Sequence, residues 1–525
     1  MKTFTIVSFC AVAWAFTGCE RKYQLSADRG KAEHVVMMVW DGMRPDFVTE
    51  EYTPTLWKLS RQGVTFANNH PAFPSTTEVN GTTLATGVYP AHSGVIGNRE
   101  FRPTIEPRKP VGTESVEAVS KGDAMSGGKY LAVPTVAETV QAAGFRTAVA
   151  GTKPVALLHD RTDARKSVAS RDSMTIFHGE SRQPDAMREI TKALGDFPQM
   201  LAYPNSAQDG WTTKVLTEQL WKKGVPKFSV LWLSDPDYSQ HFSAPGAPEA
   251  LAALKSADEK LAMLLAALEA KGVREKTDVL IVSDHAFSTI SEGVDVADAL
   301  NEAGFRAVRQ FTTPPRAGDI LVVNSGATLL LYATEHDAET IQRLVDYLQK
   351  APFAGVIFTR EAMPGTFALK AVHIDSPAAP DVVVAMRWAD EKSKFGVSGT
   401  LIADAPRLKG HGMHGSLSPF DMRNTLIAAG PDFSTGTTNE MPTGNIDVAP
   451  TILWILGVRP TEKLDGRVLR EAFRGASTTA TIAPKETVLN AEREIEGGRW
   501  QQYLRQVEYG DVTYFIEGNG KQIAP

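Results

Sequence analysis

Val35–Asp41 reads VVMMVWD, an unbroken apolar run that ends on a carboxylate. So short and valine-rich a run predicts a strand buried on both faces of a parallel sheet. The pattern recurs downstream. FSVLWL at 228–233 leads through SDP to Asp237, and TDVLIVS at 277–283 leads directly to Asp284 and His285. His34 extends the first run backwards, and Thr147–Ala150 and Asn424–Ala429 read as further strands. Helical patterns separate them, at Pro54–Gln62, Thr135–Ala143 and the long Ala247–Lys271. Strands alternating with helices predict an α/β doubly wound domain, in which ligands bind beyond the carboxyl ends of the strands. Carboxylates from three distant segments are therefore expected at one rim.

The 525 residues exceed what a single simple core organises, so a second unit is expected. Residues 288–409 have their own strand-helix-strand rhythm (ATLLLYAT, AETIQRLVDYLQK, GVIFTRE, DVVVAMRW) and contain the loops TTPPRAG and DSPAAPD. They read as an inserted, smaller α+β subdomain. The catalytic α/β domain then spans 20–287 and 410–475, and 476–525 form a C-terminal tail whose end is expected to add an edge strand.

Hydrophobic residues make up 42% and charged residues 22%, ordinary values for a globular protein. A net charge of -6 gives no basis for nucleic-acid wrapping. Residues 1–19 read as a signal peptide: Lys2, an apolar run from Phe4 to Phe16, then Thr17-Gly18-Cys19. FTGC resembles a bacterial lipoprotein box, implying export to the periplasm or outer membrane with a lipid anchor on Cys19. The only cysteines are Cys10 and Cys19, so the mature domain has no internal disulfide to rely on.

The chemistry-bearing residues cluster near the predicted strand ends. Asp237 and His241 form DYSQH, Asp284 and His285 are adjacent, and GHGMHGS supplies His411 and His414. Carboxylates with imidazoles and no thiolate suit Zn²⁺. The segment PSTTEVNGTTLAT offers hydroxyls at Ser75, Thr76 and Thr77 where a helix is predicted to begin. A hydroxyl there either caps the helix or sits in a field that favours an alkoxide and a bound phosphate. Lys153 follows a predicted strand end and is a candidate phosphate ligand.

Six stretches in order (VVMMVWDGMRPDF, PSTTEVNGTTLATGVYPAHSGVIGN, LSDPDYSQH, VLIVSDHAFS, MHGSLSPFDMRNTLIAAGPDF and NIDVAPTILWILG) resemble the type I phosphodiesterase / nucleotide pyrophosphatase family of the alkaline phosphatase superfamily. The resemblance implies an alkaline-phosphatase-like α/β/α sandwich with a mostly parallel sheet. It implies two Zn²⁺ per chain: one on Asp237, His241 and His414 (His411 the runner-up), the other on Asp41, Asp284, His285 and the Thr77 hydroxyl. It also implies Thr77 as nucleophile, nine residues before Thr86 of ATG, with Asn80 donating to the phosphate. The implied reaction is hydrolysis of a small phosphate ester, a nucleotide or another phosphodiester, through a phosphothreonine.

Two residues depart from the family's pattern. Ala286 follows the Asp-His pair where glycine is common, and Glu78 follows Thr77 where the eukaryotic enzymes carry phenylalanine. A phosphomonoesterase or phosphonate hydrolase on the same metal pair is the nearest alternative, and a non-catalytic cell-envelope lipoprotein the alternative of another class. A sulfatase is disfavoured, because PSTTEVN lacks the C/S-x-P-x-R motif.

Overall fold

The structure is a computed structural model that describes residues 29–165, 172–476 and 482–524. The leader with Cys10 and Cys19 lies outside the described residues. A nine-stranded sheet forms the centre. Its middle strand, His34–Trp40, pairs in parallel with Phe228–Leu233 on one side and Thr277–Val282 on the other. Thr147–Gly151 and Met174–Phe177 continue the parallel run outward. On the opposite flank Leu426–Ala429 is antiparallel to both Thr277–Val282 and Val64–His70, so that strand departs from the parallel expectation. Thr437–Gly444 closes that edge, parallel to Val64–His70.

The middle strand shows why its sequence is continuously apolar. Val35, Met37 and Val39 pack into one core, with Leu84, Val136 and Ile452 from helices on that face. Val36, Met38 and Trp40 pack into the other, with Leu56, Trp211 and Leu261 from helices on the opposite face. Alternate side chains thus enter separate cores, and the result is an α/β/α sandwich. The long helix Pro248–Ala270 lies against the second face.

Residues inserted after the third acidic strand end form a six-stranded sheet between Arg306 and Met386 and contribute to a four-stranded sheet between Ser288 and Met413. The insertion touches the central domain at a decisive place: the Ala327 N–H donates to the carbonyl of His414 at 2.7 Å. Gly415 follows at φ +103°, and a side chain there would meet Ala327 N and Thr76 Cγ2, both at 3.0 Å. Glycine lets the three segments close together.

The C-terminal tail forms more than an edge strand. Lys485–Ile495, Gly498–Tyr509 and Val512–Ile523 make an antiparallel three-stranded sheet of their own. It docks on the inserted sheet through Gln502, which bonds both N–H and C=O of Ile357 at 2.8 and 3.1 Å, and through the buried Trp500. Alternating apolar residues bury one face of this ribbon, so it needs a surface to cover rather than a sheet edge to extend.

Candidate metal centre and active site

The three acidic strand ends meet. The Asp237 N–H donates to the Asp41 carbonyl at 2.9 Å, and the Gly42 N–H donates to Asp284 Oδ1 at 3.0 Å. Gly42 sits at φ +74°, and a side chain there would strike the Phe287 ring at 2.7 Å. That turn therefore requires glycine for the Asp41 segment to pass under the Asp284 segment. Asp41, Asp237 and Asp284 are at most 1% exposed.

Imidazoles complete the cluster. Asp237 Oδ1 lies 3.3 Å from His241 Nε2 and 3.5 Å from His414 Nε2. Asp284 Oδ2 lies 3.1 Å and Asp41 Oδ1 3.7 Å from His285 Nε2. The Thr77 hydroxyl is 3.2 Å from the same Nε2. Asp237, His241 and His414 can each present a ligand atom within 4.8 Å of one another, and so can Asp41, Asp237 and His285. His411 stands outside both groups; its Nδ1 pairs with the His241 carbonyl at 3.1 Å.

A chemical test supports a cation in this cluster. Each of the three rings has Nδ1 against a backbone carbonyl: His241 on Gly412, His285 on Ala286 and His414 on Ser75, at 3.1, 3.1 and 2.9 Å. A carbonyl only accepts, so Nδ1 carries the proton and Nε2 of a neutral ring carries a lone pair. Burial, then the neighbouring His285, holds the His414 ring well below the usual imidazole range and keeps it neutral. The facing oxygens Asp41 Oδ1, Asp237 Oδ1 and Asp284 Oδ2 are buried without a hydrogen-bond partner. Lone pairs aimed at lone pairs in a dry pocket repel unless a metal ion lies between them. The donors fit zinc: oxygen and nitrogen, with no sulfur.

The nucleophile loop is held rigidly. Thr77 opens the fully buried helix Thr77–Thr86. Asn80, one turn in, has its amide committed: Nδ2 faces the carbonyls of Ala72, Pro74 and Thr76, while Oδ1 accepts from the Ala72 N–H at 2.7 Å. Asn445 then links Asn80 to the Asp284 carbonyl at 2.7 Å. Asn80 thus ties the loop to the metal-capable segment.

A model of the type I phosphodiesterase / nucleotide pyrophosphatase family matches residues 35–416. The chain belongs to that family. It is similar to ectonucleotide pyrophosphatase/phosphodiesterase family member 3 of Mus musculus, 23% identical over 264 residues, 49% of this chain and 25% of that protein. The match to a Caenorhabditis elegans ectonucleotide pyrophosphatase/phosphodiesterase spans 33% of that protein, so the chain covers a third or less of these relatives. Similarity to the bis(5'-adenosyl)-triphosphatase of Mus musculus is more extended: 21% over 449 residues, 85% of this chain and 82% of that one. Among solved structures, an inactive variant of murine ectonucleotide pyrophosphatase/phosphodiesterase 5 in complex with AMP superposes with a TM-score of 0.58 at 17% identity, covering 82% of this chain and 96% of that one. That likeness is one of fold, and the fold is alkaline-phosphatase-like.

Within this phosphodiesterase-family site, Lys153 joins the two halves. Its Nζ lies 2.9 Å from Asp41 Oδ2 and 2.7 Å from Asp237 Oδ2, and 4.9 Å from the Tyr238 ring centre. Burial alone would discharge the amine, but Asp237 and Asp41 outweigh it and hold the ammonium charged. Burial and then Asp284 push the Asp41 carboxyl up, against the pull of Lys153. For Asp237 burial pushes up, but Lys153 and His241 prevail and the carboxylate stays ionised.

Glu78 faces the other side. It is buried, its Oε2 has no hydrogen-bond partner, and burial followed by the adjacent Glu114 raises its carboxyl well above the usual range. The departure from phenylalanine therefore places an acid pair beside the nucleophile. Asn98 escaped the sequence reading. Its Oδ1 accepts from the Glu78 N–H at 3.2 Å, leaving its Nδ2 without a partner among the described residues. The only hint in the sequence is a polar residue closing the loop GVIGN.

Proposed function

We propose that the chain is a zinc-dependent phosphoric ester hydrolase of the phosphodiesterase / nucleotide pyrophosphatase type, acting through a phosphothreonine at Thr77. The observation that carries this reading is the set of bare carboxylate oxygens and lone-pair nitrogens converging around Thr77 Oγ1. Asp237, His241 and His414 would hold one ion; Asp41, Asp284, His285 and the Thr77 hydroxyl would hold the other. When bound, the pair supplies Lewis acidity that favours the threonine alkoxide and neutralises charge at the attacking and departing oxygens.

Thr77 Oγ1 attacks phosphorus in line, the bond to the leaving oxygen breaks, and the phosphoryl group rests on Thr77. Water then attacks the same phosphorus from the vacated side and releases Thr77 and phosphate product. The helix N-terminus beneath Thr77 favours negative charge at Oγ1 and on the phosphate. Asn98, with its free Nδ2, donates to a non-bridging oxygen, and Asn80 positions the loop. Lys153 offers a buried ammonium to the phosphate. Acid quenching during turnover of bis-nitrophenyl phosphate tests this directly. A nitrophenyl-phosphoryl group covalently trapped on Thr77 is expected; its absence during steady turnover would remove Thr77 from the role.

A phosphomonoesterase is the second reading, favoured by the buried charged Lys153, which complements a dianion better than a monoanion. Comparing kcat/KM on mono- and bis-nitrophenyl phosphate separates the two. The AMP complex of the murine structural neighbour supports a nucleotide as one substrate class to include. We place the protein outside the cytoplasm, anchored through Cys19. Mass spectrometry of the mature N-terminus checks this, with a lipidated Cys19 expected.

A further inference from the structure

Among the described residues, Leu201, Tyr203, Phe242 and Leu408 are half of the large apolar side chains left exposed. Phe242 ends the helix Asp237–Phe242, and the other three lie on loops. Phe242 follows His241. Tyr203 stacks on Phe242 with ring centres 4.2 Å apart and planes 13° from parallel. The next loop residue but one, Asn205, is bound to Ser234 Oγ at 2.9 Å at the end of an acidic strand. Leu408 precedes His411, whose ring is 6.4 Å from Phe242. Leu201 is 87% exposed and Leu408 62%. An apolar cluster on a soluble surface marks contact with something apolar.

The charges beside this cluster narrow what that is. Arg407 and Lys409 flank Leu408, both are exposed, and neither makes an ion pair among the described residues. From Ala405 to Phe420 there is no acidic residue. A symmetric contact with a second copy would set these cations against each other. Stacked aromatic rings, a protruding leucine and free cations instead match an anionic lipid surface, with rings at headgroup depth and cations near lipid phosphates. A cleft of about 730 Å³ opens beside this rim, lined by His241, His411, Leu408, Val322, Val323 and Arg99.

We propose that the 200–204 and 406–411 loops, with Phe242, form a rim that seats the protein on an anionic lipid surface. This inference does not rest on the hydrolase reading above.

The test uses the full zinc-loaded chain carrying Cys19→Ser, so that no lipid anchor contributes, and vesicles of equimolar phosphatidylglycerol and phosphatidylcholine, with pure phosphatidylcholine as comparison. Cosedimentation is expected with the anionic vesicles and at least tenfold weaker with the neutral ones. The double variant Leu201→Ser/Lys409→Gln, at positions away from the cleft lining, is expected to bind anionic vesicles at least tenfold more weakly. Its turnover of soluble bis-nitrophenyl phosphate and its melting temperature should match the parent. Failure of the parent to bind either vesicle, or equal binding by the variant, overturns the proposal. So does a dimer in analytical ultracentrifugation that this variant dissociates. Vesicle binding without turnover of any phosphate ester would leave the docking rim standing and sink the hydrolase reading instead.

Discussion

At the amino ends of the central strands, Asp278 and Asp432 are buried together, and at the carboxyl ends so are Asp41, Asp237 and Asp284. The first group is tied to backbone amides. Asp432 accepts the N–H groups of Lys31 and Ala32 at 2.6 and 2.9 Å. Burial, then Asp432, raises the Asp278 carboxyl well above the usual range, and its Oδ2, bare of hydrogen bonds, stands against a second carboxyl rather than a ring nitrogen. The second group keeps one oxygen bare on each side chain and faces imidazole lone pairs. Burial of an acid therefore identifies nothing by itself. What distinguishes a staple from a metal-capable site is whether the bare oxygen meets only another carboxyl or faces imidazole lone pairs.

The largest effect should come from the open end. Thr77→Ala is expected to lower kcat/KM on a chromogenic phosphodiester by roughly three orders of magnitude or more, as removal of a nucleophile generally does. Retention of zinc by this variant would separate lost chemistry from lost metal. Next, chelation should lower the unfolding free energy by roughly 3–4 kcal/mol when zinc is otherwise saturating, because the ions bind only the folded arrangement. Denaturant titration with and without chelator measures this, and His414→Gln should reduce bound zinc from two equivalents toward one.

The closed end should respond to pH and not to metal. A carboxyl whose pKa is raised on folding contributes full stability below its unfolded pKa and loses it as pH rises through the folded value. Asp278→Asn removes that loss, so the variant should gain on the parent between pH 5 and pH 8 in denaturant unfolding, with zinc content and turnover unchanged. Loss of zinc in this variant would break the contrast between the two ends.

A smaller effect is expected at His159, which lies edge-on to Trp232, the residue that holds Asp41 Oδ2 at 2.8 Å. Burial lowers this imidazole to about 3, and its Nε2 has no partner. A depressed imidazole loses stability as pH falls below the unfolded pKa of about 6.5. His159→Phe should therefore outperform the parent increasingly as pH drops, by roughly 2 kcal/mol at pH 5 relative to pH 8.

Much of the centre was legible in the sequence for a simple reason. Strands buried on both faces are largely apolar until they emerge, so the first acid after a run marks the rim. Asp41 and Asp284 follow from that rule, whereas Asp237 comes second, after Asp235, and is picked out by His241 one turn on. The structure brings the three together with His241, His285, His414 and Lys153. Asn98 does not follow from it, because its position beside Thr77 depends on a loop that returns through the Glu78 N–H. Val64–His70 and Thr437–Gly444 were also missed. They form the flank of the sheet and carry asparagines and a proline, so neither shows a buried strand's apolar run. The tail's three-stranded ribbon was undercounted because its alternation reveals one apolar face, not what that face covers.

The central claim is that the bare oxygens and ring nitrogens around Thr77 hold a pair of zinc ions. Anomalous diffraction at the zinc edge from crystals grown with zinc tests it most directly. Two peaks are predicted, one ligated by Asp237, His241 and His414 and one by Asp41, Asp284 and His285 beside Thr77 Oγ1. Absence of peaks at this cluster, or zinc bound only elsewhere, would contradict the account.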